Sequence, residues 1–266
     1  MKLNNNFSKG YPDKLIWIFI ALYISVFSYL CFLKYFSFGY NWDFASDVTV
    51  LWNSAHGEFL YYPFLEQIIF GAHLYLIIFL ILPIYAVFQH PLTLLFLQTA
   101  FLALAAYPLY RLAALKLNKT FALLMSLAYL LYPTLGFINL LETHFEVYVI
   151  FFLFFAIYYF EKENFRRFII FIFLAIICKE NVSLVVFMFG IYALLKRKPK
   201  KWILVPSLIG LVWFFLAVKV VIPYFAKDAE LYQGGFIFSQ YYKHLGNNFF
   251  DMIKTIITKP SWVFGY

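Results

Sequence analysis

The sequence predicts an all-α polytopic membrane protein, a bundle of about seven transmembrane helices with interfacial helices in its first outer loop. Three observations carry this. The 266-residue chain is 64% hydrophobic and only 13% charged, about half the charge of a soluble domain. That much apolar surface cannot hide inside one globular core, and lipid is the natural solvent for the excess. The cations gather in short breaks between the apolar runs, which makes the net charge of +8 a topology signal and leaves no case for nucleic acid. The aromatic content of 24% fits the same picture, with many Trp and Tyr near helix ends. Cys31 and Cys178 both fall in apolar stretches, and neither points to a disulfide or a thiolate metal site.

The apolar runs are Leu15–Phe36, Ile68–Phe88, Leu92–Leu112, Phe121–Ile138, Val147–Phe160, Phe168–Cys178, Val182–Leu195 and Trp202–Ile222. Leu15–Phe36 is too long for a signal peptide core and no small-residue cleavage pattern follows it, so it reads as the first span. Lys2, Lys9 and Lys14 place the tail 1–14 in the cytoplasm; Arg111, Lys116 and Lys119, and the run from Lys196 to Lys201, belong on the same side. The loop Phe38–Gln67 has no Lys or Arg and is expected outside.

Parity then requires an odd number of crossings between Gln67 and Arg111. We expect Ile68–Phe88 to lie at the outer interface, making 38–90 one outer loop, while Leu92–Leu112 crosses. An ordinary hairpin of two spans is the alternative, and it would put Arg111, Lys116 and Lys119 outside. Phe121–Ile138 then runs outward and Val147–Phe160 returns. Phe168–Leu195 makes two short arms around Lys179-Glu180-Asn181, or else one long helix carrying a buried Lys-Glu pair. Trp202–Ile222 exits, and 223–266 is an outer segment, with a turn at Gly234-Gly235, that leads toward a further C-terminal part. The whole chain reads as one transmembrane domain in the plasma or inner membrane.

Four polar groups fall on the outer side. Asp43 and Asp47 lie one helical turn apart and share a face if Trp42–Asp47 is helical; otherwise they are a solvated acidic loop. Glu142, His144 and Glu146 alternate, so in an extended loop all three point one way and could hold a divalent cation or position a base; otherwise the loop caps the next helix. Lys179 and Glu180 lie within apolar surroundings, where ionisable residues are costly unless paired or hydrated; they are a functional pair or a mutually neutralising one. His73 stands in the interfacial run, where a hydrogen-bonded interface role competes with a binding one. The sequence has no Walker A loop, G-x-G-x-x-G, H-E-x-x-H or G-x-S-x-G, so ATP-driven, nicotinamide and zincin chemistry have no support.

The order of these segments resembles the DUF2079 family of predicted membrane proteins and, more broadly, the GT-C class of membrane glycosyltransferases. The segments are Trp42-Asp43-Phe44-Ala45-Ser46-Asp47, Leu51-Trp52-Asn53-Ser54-Ala55-His56-Gly57, Gly71-Ala72-His73, Leu131-Tyr132-Pro133, Glu142-Thr143-His144-Phe145-Glu146, Cys178-Lys179-Glu180-Asn181 and Tyr242-Lys243-His244-Leu245-Gly246. Ala72 and Glu142 stand where the family pattern usually has Asp. The resemblance implies a GT-C-like bundle that transfers sugar from a polyprenyl-phosphate donor on the extracytoplasmic face. It implies Asp43 as general base and Lys179 as the cation that stabilises the leaving phosphate. Asp47, His73, Glu142, His144, Glu146 and Glu180 would bind substrate. No cofactor is required, and a divalent cation is the one the acidic loop could accommodate. The implied partners are membrane lipids, the lipid-linked sugar and an acceptor that is a glycan, lipid or protein. A transporter or lipid-handling protein without catalysis is the rival reading, motivated by Lys179 and Glu180.

Overall fold

The computed structural model describes residues 11–226, 244–246 and 249–261. The Gly234-Gly235 turn and the Tyr242-Lys243 pair fall outside the described residues. Helices dominate, and they follow one another along the chain. First come α1 (Tyr11–Phe36) and α2 (Trp42–Ala55), then a small antiparallel hairpin in which Tyr61 pairs with Ile68 and Tyr62 with Gln67. After it come α3 (Ile78–Val87), α4 (Pro91–Leu104), α5 (Ala106–Ala113), α6 (Lys119–Leu130) and α7 (Pro133–Leu141). The second half holds α8 (Val149–Glu161), α9 (Phe165–Ile176), α10 (Val182–Leu195), α11 (Lys200–Leu216), α12 (Ile222–Phe225) and α13 (Phe249–Thr258).

Local chemistry sets many of these boundaries. The Asn118 side chain accepts from the Phe121 amide at 2.9 Å and the Asn164 side chain from the Arg167 amide at 3.2 Å, so α6 and α9 begin at asparagine caps. Pro91 and Pro133 sit in the first turns of α4 and α7, where a missing N–H costs nothing. Pro133 also breaks the Phe121–Ile138 run: α6 and α7 meet at 41°. Pro223 cannot donate to the turn before it, and that turn, Ala217–Val221, is widened into a π-helix.

Three helical stretches are long and apolar enough to cross a membrane: Asp13–Phe36, Pro91–Ala113 and Lys200–Phe225. The bent α6–α7 pair makes a fourth if it is one span. This is fewer than the seven expected. The reason is length. Helices α8, α9 and α10 have 13, 12 and 14 residues, and 12 residues rise only about 18 Å against a hydrocarbon core of about 30 Å. Ile68–Phe88 contains no helix of spanning length, since its only α-helix has 10 residues and includes Pro83.

Helices α9 and α10 are antiparallel arms rather than one long helix. Phe168 at the start of α9 packs against Phe189 in the second half of α10, with ring centroids 5.4 Å apart, and Trp202 of α11 closes that end. Their turn, Lys179–Asn181, lies at the other end. Helix α11 backs α10 through two glycines. A Cβ on Gly210 would come within 2.5 Å of the Ser183 carbonyl, and one on Gly190 within 2.6 Å of the Ile203 carbonyl, so only glycine allows this approach. The main core lies among α1, α3, α4, α5, α6 and the start of α8, and includes Tyr85, Leu94, Leu102, Tyr110 and Phe152.

A few polar groups inside this core fix the loop that follows α7. The Gln98 amide, 1% exposed, donates to the Glu142 carbonyl at 2.8 Å and accepts from the His144 amide at 3.1 Å. Thr99 donates to the Asn139 side chain at 3.0 Å. Lys34, from α1, donates to the Leu140 and Leu141 carbonyls at 2.6 and 2.7 Å, filling the acceptors left open at the end of α7.

Candidate functional site

The pinned loop, α2, the segment after the hairpin and the α9–α10 turn converge on one pocket of about 320 Å³. Helix α2 contributes Asp43 and Asp47 to its wall. The segment after the hairpin contributes His73 and Tyr75, the loop after α7 contributes His144 and Glu146, and the α9–α10 turn contributes Lys179.

Helix α2 has no cap of its own: the Asn41 side chain makes no capping bond. The Glu142 carboxylate supplies the cap from 98 to 101 residues away, accepting from the Asn41 amide at 2.9 Å and the Phe44 amide at 3.0 Å. A carboxylate at a helix N-terminus satisfies orphan donors and meets the positive end of the helix dipole. Glu142 is therefore buried and committed to backbone, and it does not line the pocket. The expected alternation fails for a local reason: Glu142 and His144 are extended, but Phe145–Tyr148 turns into a 3-10 helix. Glu142 points to α2, while His144 and Glu146 face the pocket.

Glu180 has a similar duty. It is 2% exposed and meets His73 Nδ1 at 2.9 Å and the Leu74 amide at 3.0 Å. The Ile77 amide donates to the Ile177 carbonyl at 2.8 Å, so the 73–77 segment is strapped to the α9–α10 turn at two levels. Glu180 is a clasp under the pocket wall, not a wall residue. Burial opposes its charge, but the His73 contact and the backbone amides outweigh this and hold the carboxyl below the usual glutamate range.

Lys179 and Glu180 do not neutralise each other. Lys179 Nζ donates to Glu146 Oε1 at 2.9 Å and lies 5.5 Å from the Tyr75 ring centroid. The Tyr75 hydroxyl donates to Glu146 Oε2 at 3.2 Å. Burial disfavours the Glu146 charge, and the ammonium beside it more than compensates, so its carboxyl also lies below the usual range. Burial pushes the Tyr75 phenol well up, with Glu146, Asp47 and Glu180 adding to the shift.

The two α2 acids are held differently. Asp43 is exposed in the pocket mouth. The Asp47 side chain keeps part of its surface on the pocket, but protein surrounds its carboxyl, which accepts from the Thr143 hydroxyl at 2.9 Å. Burial pushes this carboxyl well above the usual aspartate range, with Glu146, Asp43 and Glu142 adding in the same direction. Asp47 thus keeps its proton to higher pH than an ordinary aspartate and can donate a hydrogen bond into the pocket.

A second cavity of about 440 Å³ adjoins the first and shares His144, Glu146 and Lys179 with it. Its other walls are mostly apolar: Ile138 of α7, Val149, Ile150 and Leu153 of α8, and Val182 and Val185 of α10. Among the described residues, no group of three or more His, Cys, Asp or Glu is arranged to hold a metal ion. The Glu142–His144–Glu146 corner is unsuited because Glu142 serves backbone amides and Glu146 serves Lys179.

Tyr75 and Gln98 were not apparent as site residues from sequence. Gln98 left a trace, a lone amide within an apolar run. Tyr75 left none. A model of a family described as "Predicted membrane protein (DUF2079)" matches residues 17–266. No curated protein and no solved structure matches the chain.

Proposed function

The chain belongs to the DUF2079 family of predicted membrane proteins, and from that premise we propose that it is a GT-C-like glycosyltransferase of the plasma or inner membrane, acting on a polyprenyl-phosphate-linked sugar. One observation supports this above others: a polar pocket with three carboxyls adjoins an apolar groove, and the shared boundary carries the Lys179 ammonium, the Glu146 carboxylate and the His144 ring. That sequence of environments suits a ligand with a sugar at one end, a phosphate in the middle and an isoprenoid chain at the other.

In this reading Asp43 is the general base. It takes the proton of the acceptor hydroxyl as that oxygen attacks the anomeric carbon. The bond from that carbon to the phosphate oxygen breaks, its electron pair stays on the phosphate, and the centre inverts. Lys179 stabilises the charge that gathers on the leaving phosphate. Asp47 binds a sugar or acceptor hydroxyl beside Asp43, and His144 faces the phosphate from the other side of the boundary. Glu146 keeps Lys179 in place, while Glu142 and Glu180 hold the walls. With the pocket on the extracytoplasmic side, the N-terminal tail and the 196–201 loop are cytoplasmic.

The test is transfer of radiolabel from an undecaprenyl-phosphate-linked hexose to envelope glycan, in membranes containing the wild type or Asp43→Asn at matched insertion. Loss of general-base action lowers the rate about 10²- to 10⁴-fold. Transfer that survives the substitution removes Asp43 from the mechanism. Retention of the lipid by both proteins with transfer by neither points to lipid handling without catalysis.

A further inference from the structure

The end of the bundle remote from the pocket carries different chemistry. There the 161–167 loop joins α8 to α9, and the 196–201 loop joins α10 to α11. The loops meet where Lys198 Nζ pairs with Glu163 Oε1 at 2.5 Å, and at the same end the Tyr192 hydroxyl of α10 donates to Glu161 Oε1 of α8 at 3.2 Å. Lys116 approaches Glu161 from the α5–α6 turn at 3.9 Å. Both turns are tight, with Glu163 and Arg197 in the left-handed region at φ +57° and +52°.

These contacts use both acids of the face. Arg166, Arg167, Lys196, Arg197, Lys200 and Lys201 remain exposed, and none of them has a carboxylate within ion-pair distance among the described residues. Several rest against rings instead: Arg167 lies 5.3 Å from the Tyr159 centroid, Lys196 5.4 Å from Tyr192 and Lys201 5.2 Å from Phe165. Cations crowded on two tight neighbouring turns repel one another, so the face favours anions from outside. Directly beside the cations, Ile191, Leu194 and Leu195 are 37%, 58% and 76% exposed. Their spacing places them on one side of the last turns of α10.

Cations above and an apolar strip below match one amphiphile. We propose that this face is a binding site for anionic phospholipid, with the headgroup phosphate among the unpaired cations of the two loops and the acyl chains along Ile191, Leu194 and Leu195. A soluble anion would satisfy the charge but leave the strip unused. General membrane electrostatics agree, since basic surfaces between helices at a leaflet gather anionic headgroups. The site is separate from the pocket and does not depend on the transferase reading.

The experiment uses the full chain in detergent, titrated with dioleoylphosphatidylglycerol or dioleoylphosphatidylcholine, with bound lipid counted by native mass spectrometry and melting followed in parallel. Phosphatidylglycerol is expected to be retained and to raise the melting temperature, and phosphatidylcholine to do neither. The combined variant Arg166→Gln, Arg167→Gln, Arg197→Gln and Lys200→Gln is expected to bind phosphatidylglycerol at least tenfold more weakly. If that variant does not fold, wild-type retention read at 50 and 500 mM NaCl decides, because ionic strength screens an exposed charge-driven site. Equal binding of the two lipids, retention indifferent to both the substitutions and salt, or equal stabilisation by inorganic phosphate would each overturn the proposal.

Discussion

Glu142 is the most informative residue to perturb, because it lies outside the pocket yet holds the helix that carries both pocket aspartates. Glu142→Gln keeps the shape of the side chain and one acceptor oxygen. It removes the charge and turns an NH2 group toward one of the two amides that the carboxylate now serves. A hydrogen bond to a charged group is worth about 1.5–3 kcal/mol. Losing one and weakening the other therefore costs about 2 kcal/mol of local stability at the start of α2. Since 1.4 kcal/mol is a factor of ten, the Phe44 amide should exchange its hydrogen about 30-fold faster. Glu142→Ala removes both acceptors and should cost about 4 kcal/mol. Hydrogen–deuterium exchange by mass spectrometry over peptides covering 41–47, in nanodiscs, reads this directly. Exchange within threefold of wild type for Glu142→Gln would falsify the capping argument, whatever happened to activity.

Other expectations follow from neighbouring contacts. Gln98→Leu strands the Glu142 carbonyl and the His144 amide and should destabilise by about 2–3 kcal/mol, measured by SDS unfolding; a change below about 0.5 kcal/mol would contradict it. Gly210→Ala forces the α10 and α11 backbones apart and should cost about 1–3 kcal/mol, while Gly57→Ala meets open space and carries only the backbone cost of its φ of +101°. A double-mutant cycle on Glu146→Gln and Lys179→Met should give a coupling of about 1 kcal/mol, because the pair is partly screened by solvent; a coupling near zero would show that the pair adds no stability. The acids also separate by pH. Glu146 and Glu180, with lowered pKa values, add stability that is complete above about pH 4.3 and is lost as pH falls through their folded values. Asp47, with a raised one, acts in the opposite sense. Its ionisation weakens the fold as pH rises from about 3.9 toward its folded value. Asp47→Asn should abolish that loss in melting curves, and an unchanged slope above about pH 3.9 would show that Asp47 is not its source.

Some of this was legible in the sequence. The Asp43–Asp47 spacing left a shared helical face and a solvated acidic loop both open, and α2 supplies the helix. The break at Lys179–Asn181 predicted two arms, and α9 and α10 are those arms. Span number was not legible, because hydropathy measures how apolar a run is and not whether its helix is continuous. Val147 and Tyr148 belong to an apolar run but to a 3-10 turn, and Pro133 bends a run that hydropathy reads as one piece. The division among the acids was also hidden. Glu142, Glu146 and Glu180 look alike in sequence. Only the fold shows that two of them serve backbone amides roughly a hundred residues upstream while Glu146 holds a lysine, and amides carry no sequence signature.

The Glu180 clasp also bears on the order of events during synthesis. Its partner His73 is made 107 residues earlier, and at roughly 5–20 residues per second the ribosome takes about 5–20 seconds to supply the missing half. During that interval the 73–77 segment and the start of α2 wait at the insertion machinery without their carboxylates. Nascent chains stalled before and after residue 180 should therefore differ abruptly in protease resistance near His73.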